Sequence, residues 1–142
     1  MLVQKKIHKI LVPLDGSNTS LRGLEFASTL AQQSGLSIMG LNIYSFPTFV
    51  KNSSAVKSKI IHNSEEILKN AQLILQKNNV SFTGMSKLDK NIGKAIVTFA
   101  NSNKIDLIVI GSHGPDPEFE IFLGSVANYV INKSKIPVTI IK

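Results

Sequence analysis

The chain has 142 residues, 43% of them hydrophobic, with a formal net charge of +7, which suits one globular domain, taken here as residues 1–142, with a core of its own. It contains no Cys, so disulfides, zinc–thiolate centres and thiol catalysis are excluded. No window reaches the roughly 18 apolar residues that a membrane span needs, and the basic start Met1–Lys6 lacks the apolar core of a signal peptide, so a cytoplasmic location is expected.

Strand-like and helix-like patterns alternate along the chain. Ile7–Pro13 reads as a first strand. Leu21, Leu24, Ala27, Leu30 and Ala31 then recur at helical spacing, with Ser17 or Asn18 as N-cap and Gly35 as the stop. Leu36–Tyr44 is a second strand. Ser45–Ser58, with Pro47, Asn52, Ser53 and Ser54, reads as one long loop that is either a lid or a variable connection. Ile60, Ile61, Ser64, Ile67, Leu68, Ala71, Ile74 and Leu75 form a second helical stripe, and Val80–Met85 a weaker third strand. A third stripe runs through Ile92, Ala95, Ile96, Phe99 and Ala100. Asp106–Ile110 is a fourth strand, Val126, Val130 and Ile131 mark a fourth helix, and Val138–Ile141 is the last strand. Strands separated by helices of this length predict an α/β fold: an open parallel sheet of five strands with right-handed crossovers and helices on both faces.

The fourth strand runs directly into Gly111-Ser112-His113-Gly114, and Gly124-Ser125 follows nine residues later. A buried strand ending at Gly delivers these residues to the carboxyl edge of the sheet, where open α/β sheets bind ligands. Two glycines three apart let backbone N–H groups approach an anion without Cβ interference. Gly124-Ser125 opens a helix, whose free N–H groups and positive dipole end favour phosphate, with the Ser125 hydroxyl as a further donor. Pro13 ends the first strand, and Asp15 follows within Asp15-Gly16-Ser17. Beside a phosphate site, Asp15 suits a Mg²⁺ ligand or a ribose hydroxyl acceptor. The same residues equally suit an Asx-turn before a helix. His113 reads either as a phosphate contact or as a turn residue, and no Ser-His-Asp or metal-ligand spacing accompanies it. Of the 16 basic residues only Arg22 is Arg, and aromatics are 6% of the chain. That is a solvated Lys-rich surface rather than a dedicated nucleic-acid site.

Taken together, these segments resemble the universal stress protein family over nearly the whole chain. The resemblance rests on Val12-Pro13-Leu14-Asp15-Gly16-Ser17, on Asp106–Gly114, on Gly124–Ile131 and on Ile136–Ile141. ATP-binding members carry Gly, two residues, Gly, nine residues, then Gly and Ser or Thr, which is the spacing of Gly111, Gly114, Gly124 and Ser125. The resemblance implies a sheet of order 3-2-1-4-5, an adenine nucleotide alpha hydrolase-like fold. It implies that Gly111, His113, Gly114, Gly124, Ser125 and Val126 line the triphosphate and ribose, with Pro13 and Asp15 beside the adenosine. Backbone groups around Ile43 and Ile110 would meet the adenine edge, and Asp15 is the candidate metal ligand. It further implies a homodimer through the C-terminal edge strand 138–141, an exposed apolar edge that needs covering.

One departure lies between the glycines: Pro115–Leu123 carries Asp116, Glu118 and Glu120, where many members carry Lys or Arg. Three carboxylates near a phosphate cradle oppose a triphosphate unless they face solvent or hold a metal. The expectation is an ATP-binding (or other adenine-nucleotide-binding) stress or signalling module with little or no hydrolysis, since no Gly-Lys-Ser/Thr phosphate loop is present. The alternatives are a slow Mg²⁺-dependent ATPase and a dimeric interaction protein without nucleotide. A response-regulator receiver is discarded, because the third strand ends near Gly84-Met85-Ser86 without the required Asp.

Overall fold

The computed structural model describes residues 4–50, 52–113 and 123–142. Five strands form one sheet: β1 (Lys9–Pro13), β2 (Ser37–Tyr44), β3 (Phe82–Leu88), β4 (Leu107–Gly111) and β5 (Val138–Ile141). All neighbours pair parallel, as the alternation of elements implied, and their order β3-β2-β1-β4-β5 is the one the resemblance implied. Four helices connect them: α1 (Asn18–Ser34), α2 (Ser54–Lys77), α3 (Ile92–Ser102) and α4 (Ser125–Lys133). No helix among the described residues is long and apolar enough to cross a membrane.

The two-residue period of a strand sends successive side chains to opposite faces, and this chain is apolar in both phases. Ile10, Val12, Leu107 and Val109 pack with Leu24, Ala27 and Ala31 of α1 and with Ala71 and Leu75 of α2. Leu11, Leu41, Ile108 and Ile110 pack on the other face with Ile96, Phe99 and Ala100 of α3 and with Ala127 and Val130 of α4. Two cores thus sandwich the central strands, and Leu11, Val12, Ile108 and Val109 are wholly buried. Each such side chain contributes roughly 2 kcal/mol by leaving water.

Local signals set the helix ends. Ser17 caps α1 by accepting from the Ser20 N–H at 3.1 Å, and Gly35 closes it, its N–H donating to the Ala31 carbonyl at 2.8 Å. The expected long loop Ser45–Ser58 is shorter than its composition suggested. Thr48–Val50 makes a single 3₁₀ turn, and α2 begins at Ser54 because Ser53 caps it, accepting from the Val56 N–H at 3.3 Å. The Ser and Asn residues that read as loop are here a helix start. β3 also runs later than its Val80–Met85 signal. Its polar stretch Ser86-Lys87-Leu88 continues the pairing, with Lys87 opposite Ile43 and Leu88 opposite Tyr44.

At the amino edge of the sheet, Asp106 fastens β1 to β4. Its carboxylate accepts from the N–H groups of His8 (2.9 Å) and Lys9 (3.1 Å), and Lys5 Nζ lies 3.5 Å away. The His8 N–H bond is the chief reason its pKa falls below the ordinary 3.8, aided by Lys9 and Lys5 and opposed by burial. A carboxyl with a lowered folded pKa adds stability above its unfolded pKa and loses it as pH falls through the folded value. Thermal melts from neutral pH down to below pH 3.8 test this. Wild type should lose an increment of stability that Asp106→Asn lacks, and parallel acid limbs in the two proteins would contradict the clamp.

Candidate functional site

β1 sits between β2 and β4, so the connections after β1 and β4 leave the sheet in opposite directions. Their carboxyl ends therefore frame a crevice, the place where doubly wound sheets take ligands. A cleft of about 400 Å³ occupies it, walled by the ends of β1, β2 and β4 and by the first turns of α3 and α4. Nine of the expected site residues line it: Pro13, Asp15, Ile43, Ile110, Gly111, His113, Gly124, Ser125 and Val126. Gly114, the tenth, lies outside the described residues, as do the three acids at 116, 118 and 120. Leu41, Ile92 and Ile96 join Ile43 and Ile110 to make an apolar slot beside the polar glycine segments.

The glycines are there for close approach. A Cβ at Gly111 would lie 2.9 Å from Thr19 Cγ2 and 3.2 Å from the Thr19 backbone carbon, so α1 abuts the end of β4 only because position 111 is bare. A Cβ at Gly124 would lie 3.1 Å from His113 Cα. The Gly124 N–H donates to the Ser112 carbonyl at 2.7 Å, and the Ser112 N–H donates to the Ile141 carbonyl at 2.7 Å. The two halves of the glycine motif are thereby joined to each other and to β5. Gly124 is the N-cap of α4 and brings no side chain to its first turn. The Ser125, Val126 and Ala127 N–H groups have no intrahelical acceptor, and their residues line the cleft. They place about half a positive charge there.

His113 is oriented by its neighbour: the buried Ser112 hydroxyl and His113 Nδ1 share a hydrogen bond of 2.8 Å. Ser112 thus acts behind the cleft, while Ser125 stands in it. Asp15 adopts the Asx-turn that its sequence context allowed. Its Oδ1 accepts from the Ser17 N–H at 2.9 Å and from the Ser17 hydroxyl, while Gly16 takes the left-handed φ of +85°. It is also the one carboxylate among the described cleft residues. No group of three or more His, Asp or Glu converges as a metal cluster among the described residues. A metal held here would need a ligand's own oxygens alongside Asp15.

Sequence reading missed the residue that holds the Pro13–Asp15 turn in place. Asn42, buried in β2, donates its amide to the Leu14 carbonyl at 2.7 Å. Its Oδ1 accepts from the Ser64 hydroxyl at 2.6 Å, and Ser64 also meets Ser86 Oγ. The signal was present: one Asn in an otherwise apolar strand, and one Ser in the apolar stripe of α2. Asn42→Leu would leave the Leu14 carbonyl and the Ser64 hydroxyl without this partner. It should cost roughly 2 kcal/mol in chemical denaturation; a loss below about 0.5 kcal/mol would show that the network contributes little.

The family model described as Universal stress protein family matches residues 6–142. Universal stress protein MJ0531 of Methanocaldococcus jannaschii is 30% identical over 139 residues, covering 94% of this chain and 81% of the relative. The solved structure of protein MJ0577 of the same organism superposes with a TM-score of 0.83 at 26% identity, over 95% of each chain. A universal stress protein of Archaeoglobus fulgidus, solved in complex with dAMP, superposes with a TM-score of 0.71 at 27% identity, over 96% of this chain and 98% of that one. The fold, the glycine spacing and the matched relatives agree: this chain belongs to the universal stress protein family.

Proposed function

We propose that the protein binds an adenine nucleotide, ATP or a relative of it, in the cleft between β1 and β4. It acts as a single-domain, nucleotide-dependent stress or signalling module with little or no hydrolysis. One observation carries the reading: a slot of Leu41, Ile43, Ile92, Ile96 and Ile110 adjoins the first-turn amides of α4, whose N-cap Gly124 brings no side chain to them. A flat apolar base and a phosphate need that pairing of surfaces, side by side. The complex of the Archaeoglobus fulgidus relative with dAMP supports the same ligand class. Pro13 and Asp15 then flank the sugar, Gly111, His113, Gly114, Gly124 and Ser125 take the phosphates, and Asp15 is the position from which Mg²⁺ would be reached. Slow turnover follows from what phosphoryl transfer requires: cationic side chains on the phosphates and a fixed base or water-positioning group. The cleft residues described include neither Lys nor Arg. Cytoplasmic residence is part of the same reading.

A homodimer through β5 fits the hydrogen-bond phase of that strand. The Ile108 N–H bonds the Pro137 carbonyl and the Ser112 N–H bonds the Ile141 carbonyl, so the odd-numbered residues face β4. Val138 and Ile140 therefore turn their backbone groups outward, at the open edge of the sheet. Val138→Pro removes an outward donor at little cost in apolar volume. Sedimentation should give a dimer for wild type and a monomer for this variant; a dimer that persists in the variant would move the interface elsewhere.

Nucleotide binding is tested by denaturing freshly purified protein, identifying released nucleotide chromatographically, and comparing wild type with Ser125→Asp. A carboxylate at the first position of α4 favours the helix through its dipole but repels phosphate. The variant should lose the nucleotide and melt where wild type stripped of nucleotide melts. Nucleotide retained by the variant would place the phosphates elsewhere. Protein with no nucleotide and no stabilisation by added nucleotide would contradict the reading, because ligand at a hundred times its Kd should stabilise the fold by about 2.7 kcal/mol.

A further inference from the structure

The Lys-rich surface expected from the sequence is not evenly spread, because the fold gathers seven lysines at the amino edge of the sheet. Lys5, Lys6 and Lys9 lead into β1, Lys104 leads into β4, and Lys133 and Lys135 lead into β5. Lys77 ends α2 just before β3. All but Lys9 are exposed. Hydrogen bonds join these segments: Lys9 Nζ donates to the Asn103 carbonyl at 3.2 Å, and the Asp106 N–H donates to the Lys9 carbonyl at 2.9 Å. The Ile108 N–H donates to the Pro137 carbonyl at 3.0 Å. With strands about 4.8 Å apart, the starts of β3 and β5 lie roughly 19 Å from each other, and the lysines are strung between them.

Local needs account for only part of this charge. Asp106 is the one acid at this edge among the described residues, and Lys5 and two backbone N–H groups already engage it. The four helices also end here, and their carboxyl ends offset about two positive charges. Lys77 and Lys133 serve that purpose in the last turns of α2 and α4, and Lys9 does so on the Asn103 carbonyl after α3. Lys6, Lys104 and Lys135 remain in excess. Lys104 is held there against its own backbone preference. The left-handed turn closing α1 falls on Gly35 (φ +67°), the one after α2 on Asn79 (φ +55°), and the one after α3 on Lys104 (φ +54°). Gly adopts this conformation freely and Asn at modest cost, whereas Lys is strained in it. A strained residue kept at the surface signals a use for its side chain.

We infer that the amino edge is a docking surface for the phosphate backbone of a nucleic acid, bound without reading its sequence. The cleft lies at the opposite edge, so the inference stands apart from the nucleotide reading. A row of charges suits a linear polyanion. One strand of a duplex carries a charge about every 3.4 Å along the axis, so roughly 19 Å meets five or six phosphates. Lys offers point charges to those phosphates, whereas bases are read by Arg forks and aromatic faces. The one Arg, Arg22, is bonded to the Lys142 carbonyl at the carboxyl edge, and the exposed Phe26 and Phe49 lie in α1 and after β2. A lipid surface is the poorer fit, since it is a plane and binds by burying an apolar face. In the described segments that lead into the strands, Ile7 is the only exposed large apolar residue.

The test is fluorescence anisotropy of the whole protein with two labelled DNA duplexes of unrelated sequence, about 20 base pairs each, from about 0.05 to 0.2 M KCl. Both duplexes should bind alike. Lys6→Gln, Lys104→Gly and Lys135→Gln together should weaken binding at least tenfold at about 0.05 M KCl and lower the slope of log K against log [KCl] by about 3. Lys59→Gln, Lys90→Gln and Lys94→Gln remove the same net charge from the start of α2 and the start of α3, at the other edge. That triple should weaken binding less than about threefold, because distant charges are screened. Lys104→Gly alone should melt about 3 °C higher than wild type, its strain relieved, yet bind the duplexes severalfold more weakly. No binding by wild type, equal weakening by the two triple variants, or undiminished binding by Lys104→Gly would overturn the inference. Tighter binding to phosphatidylserine vesicles or to polyglutamate than to the duplexes would also overturn it, by giving the edge a different partner.

Discussion

The bond from the Gly124 amide to the Ser112 carbonyl organises the carboxyl edge of this protein. Through it α4 starts against the end of β4, and through the Ser112 N–H the same residue is tied to Ile141 at the end of β5. Both flanking glycines sit close against their neighbours, since a Cβ at 124 would press on the His113 backbone and a Cβ at 111 on Thr19 of α1. Bare backbone at both positions brings two helix starts and a strand end close together. The consequence is chemical. The residues whose amides α4 cannot satisfy internally line the cleft, and their N-cap Gly124 brings no side chain to them.

That geometry divides the work of the site between surfaces. Aliphatic side chains from β2, β4 and α3 form the slot, backbone amides supply the positive potential, and Asp15 spends one oxygen shaping the turn that leads into α1. The turn is held from behind by Asn42, which links the Leu14 carbonyl to α2 and β3 through Ser64 and Ser86. Such a buried polar chain is costly if incomplete, and no buried side-chain donor or acceptor among the described residues lacks a partner. The cleft is thus held by hydrogen bonds where it meets the backbone, and the positive potential there comes from a helix dipole set against the Asp15 carboxylate.

Much of this was legible in the sequence because the physics was local or periodic. Apolar residues in both phases of the first, second and fourth strands announced a sheet covered on both faces, and Ser17 and Gly35 announced the limits of α1. The glycine spacing announced the close packing at 111 and 124, because close backbone approach admits few residues other than Gly. Long-range partners were not legible. Nothing in the letters shows that Asn42 reaches Leu14, or that Asp106 grips His8 and Lys9 across 98 and 97 positions of sequence. The Ser45–Ser58 stretch misled because Ser and Asn serve loops and helix caps alike, and only the Val56 N–H on Ser53 Oγ decides between them. The later limits of β3 were hidden by polar residues that an edge strand accepts.

The central claim is that the amino end of α4 and the apolar slot together receive one adenine nucleotide. Amide resonances followed during titration with AMP report on it residue by residue. The account predicts saturable shifts concentrated at Gly111, Ser125, Val126 and Ala127 and on the slot side of Ile43 and Ile92. Shifts confined to another surface, or none that saturate, would contradict it.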